Sequence, residues 1–144
     1  MRVTEICFSV PGKPQGKDRP RFDSVRKRTY TTTKTKQYES LVQICGMEIV
    51  GDRYKAYKEG IAVEITAFYA IPKGTSKKKR ELMLSGEIRP TVKPDLDNIA
   101  KAILDALNGV AYYDDNQVQD LTIKKFYDDD PRVDVKIIYK GEEK

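Results

Sequence analysis

KPDLDNIAKAILDALNGVAYYDDN, residues 93–116, places two carboxylates at the start of a short helix and two more beyond its far end. Pro94 biases Lys93 toward extended backbone, and Asp95 or Asp97 can cap the helix by accepting backbone N–H bonds. Ile99, Ile103, Ala106, Leu107 and Val110 recur at the spacing of one buried stripe, whereas Asp97, Lys101, Asp105 and Asn108 fall on the opposite face. One side packs; the other presents polar chemistry. Asn108-Gly109 supplies the C-terminal stop, and Val110 to Tyr113 reads as a short apolar segment that delivers Asp114 and Asp115 to a turn.

Working outward, Thr4 to Val10 has the composition of a first strand, ended by Pro11-Gly12. Residues 12–22, GKPQGKDRPRF, are too rich in Gly, Pro and charge for a helix and are expected to form an exposed loop. Arg21 to Tyr30 resembles a short basic hairpin, in which Phe22, Val25 and Tyr30 either stack on bases or anchor the hairpin. Thr33 or Thr35 can cap a helix with a stripe of Tyr38, Leu41, Val42, Cys45 and Ile49. Ile61, Val63, Ile65, Ala67 and Tyr69 alternate as a strand, with Glu64 and Thr66 facing outward. SKKKRELMLSGEI, from Ser76, predicts a helix whose first turn is basic, against the macrodipole. Val118 to Tyr127 and Val133 to Tyr139 alternate around Asp128-Asp129-Asp130-Pro131 and predict a terminal hairpin, with the acids capping its turn rather than binding a metal. The whole is an α+β arrangement: a single compact domain, residues 1–144, with a mixed, largely antiparallel β-sheet packed against helices.

A chain of 144 residues buries most of its apolar surface without staples. No stretch approaches a membrane span or a signal peptide, so a cytoplasmic protein with no membrane partner is expected. Cys7 and Cys45 stand alone in apolar surroundings and read as core thiols. Histidine is absent, which removes the usual proton shuttle at neutral pH and excludes histidine-dependent nucleases and phosphotransferases. Chemistry in this chain must run on carboxylates, lysines and a hard cation. The net charge of +5 is polarised: residues 11–36 carry nine Lys or Arg against two acids, and residues 95–144 carry seven against twelve. A basic face beside an acidic pocket suits a protein that holds a polyanion while placing a cation at one phosphate.

If the fold brings the two ends of the acidic stretch together, three carboxylates converge on a site suited to magnesium or manganese. Such an ion can generate hydroxide and neutralise a phosphodiester's oxygens, while Lys101 stabilises the transition state. The plainer alternative is that Asp97 and Lys101 form an i,i+4 pair and the acids merely cap.

DLDNIAKAILDALNGVAYYDDNQVQD, residues 95–120, resembles the signature segment of the RusA family of Holliday junction resolvases of bacteria, prophages and phages. GKPQGKDRPRF resembles the basic opening of the phage-type members. The resemblance implies a single RusA-like endonuclease domain acting as a homodimeric, magnesium-dependent endodeoxyribonuclease. Such an enzyme places paired symmetric nicks across a four-way DNA junction, with manganese able to substitute and no small-molecule cofactor. By motif, Asp95, Asp97 and Asp115 are the implied metal ligands, and with Lys101 they form the implied catalytic set; Asp105 matches a family acid and reads as structural. Lys13, Lys17, Arg19, Arg21, Arg26, Lys27, Arg28, Lys77 and Lys78 are the expected DNA contacts. Two rivals stand beside this reading. One is a noncatalytic nucleic-acid-binding module whose acidic cluster only caps; the other is a metal-dependent phosphohydrolase for a small substrate, which leaves the basic arm unexplained.

Overall fold

In a computed structural model, which describes residues 4–17, 21–30 and 32–140, the alternating segment Ile61–Ala70 forms the strand at the centre of the molecule. Ile61, Val63, Ile65, Ala67 and Tyr69 all point into the core, as the period of two requires. Numbered in chain order, the strands are β1 (Thr4–Pro11), β2 (Arg21–Asp23), β3 (Arg28–Tyr30), β4 (Ile61–Ala70), β5 (Val118–Asp128) and β6 (Arg132–Tyr139). The main sheet has the order β1-β6-β4-β5, with β4 and β5 parallel and the other neighbours antiparallel. β2 and β3 form a separate two-stranded hairpin, as the sequence predicts. The domain is α+β, a mixed, largely antiparallel sheet packed against helices.

The expected terminal hairpin is corrected by this order. β5 and β6 are consecutive in the chain, yet β4 lies between them and supplies hydrogen bonds to both. Alternation tells which face of a strand is apolar but carries no information about its neighbours, so adjacency in sequence was misread as pairing. The Asp128–Asp130 turn spans the end of β4, and its acids are held by arginines. Arg132 donates to Asp128 and to the Asp130 carbonyl, and Arg80 pairs with Asp129.

The helices are α1 (Thr33–Val50), α2 (Lys77–Ser85) and α3 (Leu96–Ala106). α1 packs on β1 and on α3, while α2 lies against β5. The cap of α1 is Thr32 rather than the expected Thr33 or Thr35; its hydroxyl accepts from the Thr35 N–H, and Thr35 itself is buried. The buried stripe of α1 is Tyr38, Val42, Gly46 and Val50, and Ile49 is 45% exposed, so the expected stripe drifts off by one position at the C-terminal end. Gly46 is the reason. A Cβ there would stand 2.9 Å from Leu107 Cδ2, so the bare backbone is what lets α1 approach α3. Ser76 caps α2 by accepting from the Lys79 N–H, and Gly86 closes it in the left-handed region.

On α3 the stripe Ile99, Ile103, Ala106 and Leu107 is fully enclosed, and Val110 packs half-buried against the same core. Each large member of that stripe contributes about 1.5–3 kcal/mol on burial, which holds the polar face of α3 in a fixed orientation. Cys7 corrects a further expectation: it alternates with buried Ile6 and Phe8 and so lies exposed on the outer face of the sheet, while Cys45 is half-buried with its thiol pushed up by burial. No helix among the described residues is long and apolar enough to cross a membrane.

Candidate active site

The approach to α3 is clamped from the sheet before the acids are reached. Lys125 on β5 donates to the Val92 carbonyl at 2.7 Å, and the Tyr69 hydroxyl on β4 donates to the Pro94 carbonyl at 2.8 Å. Burial, followed by the nearby Asp95 charge, pushes the Tyr69 phenol up to about 12, so it remains a donor at neutral pH. Asp95 occupies the N-cap with extended backbone, and its carbonyl accepts the first helical N–H, from Ile99, at 3.0 Å. Its carboxylate makes no capping bond. Asp97, in the first turn, is exposed and has no ion pair or hydrogen bond among the described residues. The capping alternative therefore fails at these two acids: Asp95 occupies the N-cap without a side-chain capping bond, Asp97 follows in the first turn, and neither carboxylate is engaged among the described residues.

Further along the same face, the expected Asp97–Lys101 pair is replaced by another. Lys101 Nζ stands 3.9 Å from Asp105 Oδ2, with its side chain 64% exposed. Asp105 is held more firmly by Lys17, whose ammonium donates to it at 2.8 Å and lies 3.2 Å from Glu39 on α1. The hydrogen bond to Asp105, opposed by partial burial, raises the Lys17 pKa above its ordinary value. Lys17, one of the expected DNA contacts, is engaged by the Asp105 and Glu39 carboxylates and so straps the N-terminal loop to α1 and α3. Asp105 has the structural role that the sequence suggests.

Beyond Leu107 the chain turns back on itself, and Tyr112 and Tyr139 fix the turn. Tyr112 is buried and donates to the Leu104 carbonyl, while Tyr139 donates to the Ala111 carbonyl at 2.6 Å. Burial raises both phenols beyond any physiological titration. Asp114 then caps a 3₁₀ turn over Asp115–Gln117, accepting from the Asn116 N–H at 2.9 Å, and Gln117 returns the bond to the Asp114 N–H. The Asp115 N–H donates to Asn108 Oδ1 at 2.8 Å, which fastens the turn to the C-terminal end of α3. Asp114 and Asp115 are pushed in opposite directions: the Asn116 N–H and Asp115 lower the Asp114 pKa, and Asp114, burial and the Asp105 charge raise that of Asp115.

These facts separate the acids. α3 has 11 residues and so is roughly 16 Å long, with Asp95 and Asp97 at one end and Asp115 at the other. Among the described residues no three His, Cys, Asp or Glu side chains are grouped to hold a metal ion. The expected convergence of three carboxylates is not present in the single chain. Oxygen donors of the type that magnesium prefers are present as an unengaged pair, Asp95 and Asp97, and a magnesium site of one or two carboxylates completed by water and phosphate needs no more.

The expected DNA contacts divide likewise. Arg26, Lys27 and Arg28 lie exposed on the β2–β3 hairpin, with Lys27 at φ 53 in its turn and Arg26 3.9 Å from Asp23. Phe22 is 63% exposed and Val25 89%, so neither anchors the hairpin to the core. Arg21 pairs with Tyr30 in that hairpin, and Arg19 lies outside the described residues. Lys77 and Lys78 are exposed in the first turn of α2. Lys13 lines a cleft beside Asp95, together with Lys93 and with Lys34, which the sequence did not single out. Each is one lysine among many in sequence, and only the packing of three separate segments reveals them.

The described chain is thus an α+β domain with two exposed carboxylates at the head of one helix and a basic hairpin. A family model described as Endodeoxyribonuclease RusA matches residues 11–138. The chain is also 37% identical over 137 residues to the "Uncharacterized protein YqaN" of Bacillus subtilis (strain 168), an alignment covering 92% of this chain and 94% of that protein. With nearly its whole length matched, this chain belongs to the RusA endodeoxyribonuclease family.

Proposed function

We propose that the protein is a magnesium-dependent, structure-selective endodeoxyribonuclease that resolves four-way DNA junctions by paired symmetric nicks. The observation that carries the reading is the pair Asp95 and Asp97, two exposed carboxylates without partners among the described residues, at the start of a rigidly seated helix in a chain of an endodeoxyribonuclease family. Asp95 and Asp97 hold magnesium, or manganese in its place. The bound ion supplies an activated water and neutralises charge on the phosphate. Lys101, largely exposed one turn on, adds positive charge at the same strand, and Asp115 acts on that strand from the other end of α3. The hairpin cations and the basic turn of α2 hold flanking phosphates. A homodimer provides the two equivalent sites that symmetric incision requires, and the cytoplasm, where chromosomal and phage DNA recombine, is the proposed location.

The test is cleavage of a labelled mobile four-way junction beside a linear duplex, with and without magnesium, by the wild type and by Asp97→Asn. Paired, magnesium-dependent nicks confined to the junction and lost in the variant are expected. Tight junction binding with no cut under any condition returns the reading to a noncatalytic binder.

A further inference from the structure

The cleft beside Asp95 measures about 460 Å³ and is built by three segments that are distant in sequence. The loop after β1 contributes Lys13 and Gln15, the start of α1 contributes Lys34, and the entry to α3 contributes Lys93, Asp95 and Asn98. Three ammonium groups against one carboxylate make it a site for an anion. None of these lysines has an ion pair among the described residues, in contrast with Lys17 only four positions beyond Lys13, which is engaged by two carboxylates.

Two further observations separate this cleft from a merely basic surface. Its volume falls in the range of small-molecule sites and exceeds what a phosphate group alone occupies. Its wall also holds two side-chain amides, Gln15 and Asn98, each offering a donor and an acceptor, the chemistry that reads the edge of a base. The Asn98 amide is closely supported. A Cβ on Gly16 would lie 2.4 Å from Asn98 Nδ2 and 3.1 Å from Pro94 Cβ, so the loop backbone is pressed against that side chain, and the Lys17 N–H reaches the Asn98 carbonyl at 3.4 Å. Beneath Gln15 lies Tyr38, buried, its phenol pushed up to about 12 chiefly by burial. The wall is therefore preformed rather than assembled by the ligand.

We propose that this cleft is the seat of a single DNA nucleotide beside the scissile phosphate, its phosphate held by Lys13, Lys34 and Lys93 and its base read by Gln15 and Asn98. The proposal rests on the nuclease reading and adds to it a source of sequence preference: the base in the seat selects which phosphodiester is presented to Asp95 and Asp97.

The experiment is an amide-detected NMR titration of the ¹⁵N-labelled, metal-free protein with each of the four deoxynucleoside 5′-monophosphates, with the matching deoxynucleosides and with inorganic phosphate. Expected are shifts at residues 13–16 and 93–98 with the monophosphates, one base preferred by about fivefold, and binding about tenfold weaker for nucleoside or phosphate alone. Replacing the three lysines together by alanine lowers affinity by about tenfold, with the single variants used if the triple variant loses its dispersed sheet signals. Asn98→Ala removes the base preference while leaving phosphate binding unchanged; Lys73→Ala, an exposed lysine elsewhere, changes nothing. Phosphate binding as tightly as the nucleotides reduces the cleft to a bare anion site and overturns the proposal. So does an absence of shifts at the cleft, or a triple variant that binds as well as the wild type. No metal, junction or cleavage enters the titration, so the seat and the nuclease reading fail separately.

Discussion

The two ends of α3 carry acids of the same chemical type in opposite circumstances. At the N-terminal end, Asp95 and Asp97 are exposed with no partner among the described residues, although Asp95 stands at the N-cap itself. At the C-terminal end the acids have company: Asp105 is held by Lys17 and Lys101, Asp114 by the Asn116 N–H, and Asp115 has Asp114 beside it, which raises its pKa. Engaged carboxylates contribute to holding a fold; unengaged ones on a rigid frame remain available for a ligand. The contrast also shows where rigidity comes from. The free pair is fixed through its backbone, by Tyr69 and Lys125, so its side chains need no partners to be well placed.

The largest effect that tests this contrast is at the free pair. Asp95→Asn or Asp97→Asn is expected to lower junction cleavage by at least about a hundredfold while retaining or tightening junction binding. Manganese separates the ends directly: paramagnetic broadening of amide signals is expected around residues 95–99 in the wild type and in Asp115→Asn, and is lost in Asp97→Asn. Equal loss of broadening in Asp115→Asn would show that the far acid joins the same ion.

Lys17→Ala leaves Asp105 and Glu39 half-buried without their shared cation and is expected to cost about 1 kcal/mol, a fall in Tm of about 2–4 °C. The salt dependence of DNA binding is expected to stay unchanged, because Lys17 faces carboxylates rather than solvent. The Lys17 pKa is raised in the fold, so its contribution is present below the unfolded lysine value and is lost as pH rises through the folded value. The Tm difference between wild type and variant should therefore hold through neutral pH and close only in strong alkali. Arg26→Ala and Arg28→Ala provide the opposite case, with no change in Tm but a salt slope shallower by about 0.9 for each phosphate contact removed, read from binding isotherms at several salt concentrations.

The smallest effect lies at Asp115. The Asp115 pKa is raised, so its favourable contribution is present below the ordinary aspartate value and is lost as pH rises through the folded value; at pH 7 the ionised group is a net cost. Asp115→Asn is expected to raise Tm at pH 7 by about 1 °C, a modest figure because solvent screens the pair. The gain should vanish as the pH falls below the ordinary aspartate range in a series of melting curves, and a gain that grows in acid would reverse the assignment.

Wherever burial alone decided an element, the residues announced it. The alternation Ile61-Val63-Ile65-Ala67-Tyr69, the stripe of α3 and the Ser76 cap follow from the periods of strand and helix and from a side-chain oxygen at a cap. The same rule exposes Cys7, which alternates with Ile6 and Phe8 and needed only to be counted. That Asp95 and Asp97 stand at the start of an amphipathic helix was legible too, because Pro94 and the apolar period place the helix start there.

Partnership was not legible. That β4 inserts between β5 and β6, that Gly46 admits Leu107, that Lys17 pairs with Asp105 and Glu39, and that Lys13, Lys34 and Lys93 share one cleft are facts about segments far apart in the chain. Sequence alone determined which face of each element is apolar and which residues are chemically able, since periodicity and side-chain type are local properties. Only the tertiary structure decided which able residues meet: the distance from Asp97 to Asp115 is set by the length of a helix and the turn after it, and the pairing of each charge by whichever opposite charge the packing brings within reach.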